Sequence, residues 1–310
     1  MERPPQSTEH QLEQLVELYL LRCQVEGKSP RTTRAYRETL QRFLRVSCEE
    51  GFPQDVAQIE AAHLYTYLGR YTQHSLGTRH RYFREVRCFF NWLVESGVLD
   101  QSPFRALRNV PLPQKIVQPF SREEIVRLLD SCDAETQVGL RDRAMLMILL
   151  DTGIRCSELV SLNLADLDLD AGRIRILQGK GNKQRVVSFA GRCAGVLSQY
   201  LKARGPEEGP LFWAVHTRWL RPGVALQPNG LKQMLRRLAR KSGVAKVHAH
   251  RFRHTFATWA LEHEARELDV QHLLGHVSAD MVRRYSATYN SEQAARRHAT
   301  FSPGERLTVE

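Results

Sequence analysis

The sequence has little that would mark a secreted, membrane-bound or disulfide-stapled protein. Its six cysteines are scattered and form no Cys-x-x-Cys pair, so neither a disulfide framework nor a zinc ribbon is indicated. The longest apolar run, residues 144–150, is far too short to cross a bilayer. The first residues contain no apolar leader, so we expect no secretory signal. These features favour a cytoplasmic protein with no membrane partner.

Nucleotide-binding and calcium-binding loops are also missing. Residues 179–183 contain two glycines and two lysines but not the spacing of a Walker loop. The alternating aspartates at 166–170 resemble a calcium loop only superficially. Ala171 stands where such a loop has glycine, and Leu177 where it has a bidentate glutamate. We therefore expect no nucleotide, metal or other cofactor.

Basic residues are in clear excess. Lys and Arg number 45 against 34 Asp and Glu, which gives a net charge of +11. Such an excess favours a polyanionic partner, because each neutralised phosphate releases condensed counterions. A solvated basic surface is the alternative explanation. With 310 residues, 42% of them hydrophobic, the chain can form two domains with sizeable cores.

The first third of the chain has the periodicity of a helical bundle. Apolar residues recur at helical spacing and predict helices within 12–20, 32–46, 61–71 and 76–94, with Gly97 as a C-cap. Arginines on the expected exposed faces could follow a DNA backbone, or could simply be solvated. These arginines are Arg31, Arg34, Arg79, Arg81, Arg84 and Arg87. Residues 98–113, which end in a proline-stiffened stretch, are expected to form a linker.

The remainder, residues 114–300, reads as a second domain of mixed structure. A capping box at 121–124 opens a helix, and residues 141–150 form a buried one. Alternating residues predict strands at 166–170 and 173–177, and a third strand from Val186. After Tyr200 we expect only helices until near Thr300. The expected fold is mainly α with a small antiparallel β-sheet, of the α+β class.

One helix of the second domain is strongly amphipathic. Residues 231–241 place four apolar side chains on one face, and the basic side chains mostly on another. We expect this helix to contact DNA, with a solvated basic face as the alternative. The basic residues are Lys232, Arg236, Arg237, Arg240 and Lys241.

Two cations near the predicted strands are candidates for phosphate chemistry. Arg155 follows a glycine-broken turn at the start of a helix, where a guanidinium and free backbone N–H groups can face one anion. Glu158, three residues on, could orient that guanidinium, although an ordinary structural ion pair has the same spacing. Lys180 lies at the tip of a β-turn and could donate a proton to a leaving oxygen. Lys183 competes with it, and a solvated lysine is the alternative.

A histidine- and arginine-rich segment forms the densest cluster. His250 and Arg253 are three residues apart and share a helical face. His248 and Arg251 offer the same spacing in a shifted register. Zinc binding by His250 and His254 is disfavoured, because the segment lacks the glutamate of a zinc-protease helix and an obvious third ligand.

The last candidates follow a glycine-capped helix end. Residues 273–275 are Leu-Leu-Gly, and His276 comes directly after the glycine. Tyr285 lies in a short predicted helix that follows. The alternative to a catalytic role is that of a half-buried structural aromatic. Tyr289, one turn further on, competes with it as a nucleophile.

Together, in this order and spacing, these motifs resemble the tyrosine recombinase (phage integrase) family, and in particular the Xer-type bacterial recombinases. The resemblance covers nearly the whole chain. It implies a helical, SAM-like core-binding domain at 9–97, followed by a catalytic domain at 114–300. It also implies a site-specific recombinase that acts on double-stranded DNA without metal or ATP.

The resemblance carries roles over to six residues. Arg155 and Arg253 would clamp the scissile phosphate, and His250 and His276 would hydrogen-bond to it and assist proton transfer. Lys180 would be the general acid for the 5′ oxygen, and Tyr285 the nucleophile that forms a 3′-phosphotyrosine. The chain departs from the family at Arg251, where an apolar residue is frequent. On this interpretation, loss of Arg253 abolishes cleavage, whereas loss of Arg251 mainly weakens binding.

The resemblance further implies assembly on DNA, as a homotetramer on two sites with exchanged C-terminal segments or with a paired sister recombinase. Three other functions remain open from the sequence. A type IB topoisomerase shares the tyrosine chemistry but rejoins the same strand. A DNA-binding regulator could keep the fold without catalysis, and a metal-dependent nuclease would be silenced by EDTA.

Overall fold

A computed structural model of the chain describes residues 11–113, 117–177, 184–217 and 219–275, together with residues 298 and 302. The chain divides into two compact units, residues 1–114 and residues 115–310. Each unit has its own hydrophobic core. Within the described ranges, no helix is both long and apolar enough to span a membrane.

Within residues 11–113 the first unit has four α-helices, and the sequence explains where three of them begin. The helices are α1 (Leu12–Val25), α2 (Pro30–Glu49), α3 (Ala61–Gly69) and α4 (Leu76–Glu95). The hydroxyls of Ser29 and Ser75 accept hydrogen bonds from backbone N–H groups of the first turns of α2 and α4. At α3, Glu60 and His63 form a reciprocal capping box. The four helices predicted from periodicity are therefore confirmed.

Aromatic side chains fill the core of this unit. The Phe43 ring meets those of Tyr67 and Phe90 edge to face, with centroids 5.1 and 5.9 Å apart, and Tyr19 meets Phe89 at 5.6 Å. Edge-to-face ring pairs stabilise a core beyond the burial of their apolar surface, and they favour particular ring orientations. The core thus ties α1, α2, α3 and α4 together.

Residues after α4 pack into the same core rather than away from it. A 3₁₀ turn at Pro103–Ala106 places Phe104 against Phe83 and Phe90, with ring centroids 5.0 and 5.7 Å apart. Leu107 is also buried in this core. The His80 ring is hydrogen-bonded at 3.0 Å to the carbonyl of Val110. The expected linker at 98–113 therefore contains, in its first part, residues that complete the first unit.

The second unit combines seven helices with two small antiparallel sheets within its described residues. Its helices are α5 (Arg122–Asp130), α6 (Gln137–Thr152), α7 (Cys156–Val160), α8 (Gly191–Arg204), α9 (Pro228–Ser242), α10 (Ala249–Glu262) and α11 (Glu267–Leu274). Its strands are β1 (Leu167–Asp168), β2 (Arg173–Ile176), β3 (Arg185–Ser188), β4 (Trp213–His216) and β5 (Trp219–Ala225). The predicted class, mainly α with antiparallel β-structure, is confirmed.

The first sheet has the order β1-β2-β3, with Ile174 opposite Leu167 in β1 and Val187 in β3. Alternation in β2 buries Ile174 and Ile176 and exposes Arg173. The first strand is shorter than expected, because Asp166 ends a 3₁₀ turn before it and residues 169–170 already belong to the turn that leads to β2. The turn predicted at 179–182 lies outside the described residues.

The expectation of only helices after Tyr200 was wrong. Strands β4 and β5 form a second antiparallel hairpin, with His216 opposite Trp219 and a register shift between Trp213 and Val215. Pro222 and Gly223 lie within β5, and both residues are rare in strand interiors. Because of these two residues, the sequence of β5 does not show the alternation of apolar and polar residues that predicts a strand.

The core of the second unit surrounds α6, which is buried on most sides from Ala144 to Leu149. Gly153 ends α6 with φ +60°, in the left-handed conformation that glycine adopts readily. A Cβ at this position would come within 2.6–2.7 Å of the side chains of Phe256 on α10 and Leu274 on α11. The absence of a side chain at Gly153 therefore allows α10 and α11 to approach the turn that leads to Arg155.

Candidate active site

Arg155 and Arg253 come from different elements and meet at the C-terminal end of α11. Arg155 is the N-cap residue of α7, and its Nη2 donates to the carbonyl of Gly275 at 3.1 Å. Arg253 lies on α10 and donates from Nη2 to the carbonyl of Leu274 at 2.7 Å. The Nη1 of Arg253 donates to the carbonyl of Gly153 at 2.8 Å. Two guanidinium groups thus converge on one turn of backbone, next to His276 in the sequence.

The two arginines differ in their access to solvent. The Arg155 side chain is 25% exposed, whereas the Arg253 residue is only 4% exposed. Two forked cations at one place can bind the non-bridging oxygens of a phosphate in a bidentate manner. The geometry therefore suits an anion held at the surface by Arg155 and supported from inside by Arg253.

Glu158 is the buried counter-charge of this site. Its carboxylate accepts from Arg155 Nη1 at 2.9 Å and from both terminal nitrogens of Arg185, at 2.9 and 2.8 Å. Burial alone would raise its pKa, but the hydrogen bonds from Arg185 and Arg155 hold that pKa at about 2. The lowered pKa means that this carboxylate stabilises the fold above pH 4.5, and that the stabilisation is lost as the pH falls towards 2.

His250 lies one turn before Arg253 on α10, at the surface of the unit. Its pKa lies below 6.5, because partial burial and then the nearby charge of Arg253 disfavour the imidazolium. A neutral ring at neutral pH can accept or donate a proton. His250 is therefore in a suitable charge state for a hydrogen bond to a phosphate oxygen.

The shifted pair, His248 and Arg251, has a structural role instead. His248 is the N-cap of α10, and its Nδ1 accepts from the backbone N–H of Arg251 at 3.1 Å. The Arg251 guanidinium donates to the carbonyls of Gln118, Ala245 and Pro119, and to Glu124 at 2.7 Å. These donors hold the segment before α5 against α10, and the effect of losing Arg251 on DNA binding stays a prediction from the sequence.

Five candidate residues belong to segments that the structure does not describe. Lys180 and its competitor Lys183 lie outside the described residues, as do His276, Tyr285 and Tyr289. Their roles remain predictions from the sequence. In the described part of the chain, no group of three His, Cys, Asp or Glu side chains is arranged to hold a metal ion.

The proposed DNA-contacting arginines of the first unit lie on α2 and α4. Arg31 is exposed, and Arg79 is partly buried. Arg34 is exposed and paired with Glu38 at 3.1 Å, and Arg84 lies 3.7 Å from the buried Glu85. The Arg34–Glu38 pair is exposed on both sides and contributes little to stability, so Arg34 can exchange its partner for a phosphate.

The basic residues of α9 divide into two groups. Arg236, Arg240 and Lys241 are exposed, in agreement with the predicted amphipathic helix, whose apolar side is buried in the core. Arg237 is half exposed but forms an ion pair with Asp142, which is fully buried and also binds Arg141. Arg237 therefore anchors α9 to α6 as well as contributing positive charge.

Arg185 is the residue of this site that the sequence reasoning missed. It opens β3, and its partner Glu158 lies 27 positions earlier in the chain. No periodic pattern links residues so far apart. The one available signal was an arginine immediately before the strand predicted from Val186, three positions after the end of the turn predicted at 179–182.

Comparison with known proteins agrees with this architecture. The profile described as "Phage integrase family" matches residues 119–292, and that of the "Phage integrase, N-terminal SAM-like domain" matches residues 16–97. The first of these alone covers more than half of the chain. The chain therefore belongs to the phage integrase family, whose enzymes are tyrosine recombinases.

Curated relatives include Xer recombinases. Tyrosine recombinase XerC of Xanthomonas campestris pv. campestris is 33% identical over 265 residues, which cover 84% of this chain and 80% of the relative. Tyrosine recombinase XerD of Listeria monocytogenes serotype 4b is 31% identical over 264 residues, which cover 84% and 89%. The resemblance to Xer-type recombinases stated from the sequence is confirmed.

Solved structures share the fold. The XerH site-specific recombinase in a post-cleavage complex with palindromic difH substrate superposes with a TM-score of 0.73 at 20% identity, covering 99% of this chain and 100% of that one. A lambda integrase dimer bound to a COC′ core site gives a TM-score of 0.69 at 16% identity, covering 89% and 77%. The two-domain recombinase architecture is therefore confirmed.

Proposed function

We propose that this tyrosine recombinase cleaves and rejoins DNA at specific sites through a covalent bond between Tyr285 and a 3′ phosphate. The observation that carries the proposal is the convergence of Arg155 and Arg253 on the carbonyls of Gly275 and Leu274. His276 is the next residue in the chain, and Tyr285 follows nine residues later. The convergence forms a phosphate clamp directly before the segment that supplies the nucleophile.

The reaction exchanges one phosphodiester for another. The Tyr285 phenol oxygen attacks phosphorus and passes its proton to a neighbouring base, a transfer that His250 and His276 assist, while the bond from phosphorus to the 5′ oxygen breaks. Lys180 donates a proton to that oxygen, which leaves as a 5′ hydroxyl. The two arginines stabilise the additional negative charge of the transition state, and His250 and His276 bind the same oxygens. The 3′-phosphotyrosine keeps the energy of the broken bond, so the reverse attack by a 5′ hydroxyl rejoins DNA without ATP or metal.

Double-stranded DNA is the proposed partner of both units. The core-binding domain (9–97) would contact the duplex through Arg31, Arg34, Arg79 and Arg84. The catalytic domain (114–300) would use Arg236, Arg237, Arg240 and Lys241. Neutralised phosphates make such binding strongly salt-dependent. We further propose a cytoplasmic, nucleoid-associated protein that assembles as a tetramer on two sites, alone or with a sister recombinase.

The first experiment finds the site and the chemistry together. The protein is incubated with a pool of randomised duplexes that each carry one nick, so that cleavage next to the nick releases a short strand and traps the adduct. Adducts are denatured and captured, their DNA is sequenced, and the modified peptide is mapped. We expect one enriched sequence attached at Tyr285. Failure to trap any adduct with the wild-type protein would refute catalysis.

Matched variants assign the roles. Tyr285→Phe should abolish the adduct, whereas Tyr289→Phe should retain it. Arg253→Ala should abolish cleavage, and EDTA should have no effect on the wild type. Two differently labelled duplexes carrying the recovered site should exchange strands, whereas a topoisomerase would only reseal each one.

A further inference from the structure

Each of the three guanidinium nitrogens of Arg185 donates a hydrogen bond inside the protein. Its Nη1 and Nη2 form a parallel pair of hydrogen bonds with the two carboxylate oxygens of Glu158, at 2.9 and 2.8 Å. Its Nε donates to the carbonyl of Leu273 at 2.8 Å. The side chain is 13% exposed. A residue engaged in this way is placed to hold protein groups in position rather than to bind DNA itself.

Three successive carbonyls at the end of α11 are each bound by a different arginine. Arg185 donates to the carbonyl of Leu273, and Arg253 donates to that of Leu274. Arg155 donates to the carbonyl of Gly275. The last carbonyls of a helix have no partner within it and carry its negative dipole end, so cations there are stabilising. Two of the three arginines are the proposed phosphate clamp, and Arg185 is the third member of the same arrangement.

Arg185 also shares its carboxylate with the clamp. The Oε1 of Glu158 accepts from Arg155 and from Arg185, both at 2.9 Å. Loss of Arg185 would leave a buried carboxylate with one cation instead of two, and Glu158 would then compete more strongly for Arg155. The position of the Arg155 guanidinium is thus coupled to Arg185 through one shared oxygen.

We infer that Arg185 is a positioning residue for strand cleavage, which holds Glu158 and the end of α11 so that Arg155 and the residues after Gly275 meet the same phosphate. The inference rests on the proposed function. Arg185 follows Lys180 by five positions, and the Leu273 carbonyl precedes His276 by three. One side chain therefore links the strand after the proposed acid to the helix before the proposed histidine.

Gly275 contributes to the same arrangement at the end of α11. It has φ +63°, and a Cβ there would lie 3.2–3.3 Å from the guanidinium and Cδ of Arg185. The C-cap glycine therefore serves two needs, a left-handed backbone and room for the Arg185 side chain to reach Leu273. A lysine could not replace this arginine, because a single ammonium cannot make a parallel pair of bonds to Glu158 and also reach the Leu273 carbonyl in the same geometry.

The test compares Arg185→Met and Arg185→Lys with the control Arg173→Met. Arg173 is exposed on the neighbouring strand β2 and has no role in the proposed machinery. For each protein we measure the melting temperature, the affinity for the duplex recovered by adduct trapping, and the single-turnover rate of adduct formation. Amide hydrogen exchange of residues 267–275 is measured on the free protein.

We expect both Arg185 variants to cleave about 100-fold more slowly, since small misplacements of catalytic groups have effects of that order. Their affinity for the duplex should remain within about threefold of wild type, and Arg173→Met should match wild type in every measurement. Exchange at the end of α11 should become at least about tenfold faster in both variants. Arg185→Lys keeps the positive charge but loses the forked guanidinium. Slower cleavage by this variant would therefore show that the geometry of the side chain matters, and not its charge alone.

A double variant tests the coupling through Glu158. If Arg185 acts on Arg155 through that carboxylate, Arg185→Met combined with Glu158→Gln should cleave no more slowly than the slower single variant. Cleavage by Arg185→Lys and Arg185→Met within threefold of wild type, or unchanged exchange at 267–275, would overturn the inference. If the wild type itself forms no adduct, the proposed function fails, and the exchange measurement still decides whether Arg185 holds α11.

Discussion

Arg251 and Arg253 lie two positions apart on α10, and both are buried, yet they serve different parts of the molecule. A helix turns by about 100° per residue, so side chains two positions apart point in nearly opposite directions. Arg253 faces the turn after α6 and the end of α11. Arg251 faces the segment before α5, with its guanidinium carbon 3.9 Å from the centre of the Phe120 ring.

These contacts predict that Arg251→Met mainly lowers the free energy of unfolding and has a smaller effect on the rate of DNA cleavage. The substitution removes four hydrogen-bonding partners and leaves Glu124 without its cation, for which we expect a loss of about 3 kcal/mol. Denaturant unfolding of the variant measures it, with the exposed Arg192→Met as a control that should change stability by less than about 0.5 kcal/mol. A variant as stable as wild type but unable to bind DNA would instead support the prediction from the sequence that loss of Arg251 mainly weakens binding.

At the scale of single residues, the sequence predicted short-range relations and missed long-range ones. The pairing of Arg155 with Glu158 followed from three-residue spacing, and the structure confirms it. The shared use of Glu158 by Arg185 did not follow, because a fold brings those residues together and local spacing does not.

Three helices meet around Gly153, and this junction sets the positions of Arg155 and Arg253. Gly153 ends α6 two residues before Arg155, accepts a hydrogen bond from Arg253 on α10, and lies against Leu274 on α11. A side chain at position 153 would have no space between these helices, because a protein interior is close-packed. The close approach at Gly153 is thus a requirement of the site as well as of the fold.

We therefore predict that Gly153→Ala destabilises the protein by at least about 2 kcal/mol and slows cleavage. Strain of the left-handed backbone accounts for about 1 kcal/mol, and overpacking against Phe256 and Leu274 for a similar amount or more. Gly243→Ala is the matched control. Gly243 ends α9 with φ +69° in the same unit, but a Cβ there meets nothing within 4 Å. Equal losses of stability in the two variants would show that packing at the junction contributes nothing.

At the scale of elements, prediction succeeded where periodicity was long and undisturbed. Helices α2, α4 and α9 each have several turns with one apolar face, and their ends are marked by serine, proline or glycine. The hairpin of β4 and β5 is short, carries Pro222 and Gly223, and has a register shift, so no alternation revealed it. Short strands acquire their structure from their partner, and a single sequence does not show that partner.

For the whole molecule, the separation into two cores is matched by an unequal division of charge. Residues 1–114 hold 15 Lys and Arg against 13 Asp and Glu, whereas residues 115–310 hold 30 against 21. Most of the net positive charge therefore belongs to the catalytic unit. The salt dependence of DNA binding should depend mainly on that unit, since the number of neutralised phosphates sets the slope. The first unit has enough arginines on α2 and α4 to contact DNA, but its total charge is nearly balanced.

The boundary of the first unit is open to a direct test. Its core includes Phe104 and Leu107, which come after the last helix of the bundle and inside the expected linker. A fragment of residues 1–113 should therefore fold by itself, with one cooperative unfolding transition. A fragment of residues 1–97 lacks both side chains and leaves Phe83 and Phe90 with an uncovered surface.

Losing a buried phenylalanine and a buried leucine costs several kcal/mol, which is a large part of the stability of a small domain. We expect the shorter fragment to be at least about 4 kcal/mol less stable than the longer one, or unfolded at 25 °C, as circular dichroism during urea titration would show. Phe104→Ala in the longer fragment should reproduce about 3 kcal/mol of that difference, because it creates the same gap against Phe83 and Phe90. Equal stability of the two fragments would mean that residues 98–113 are a true linker and that Phe104 contributes little to the core.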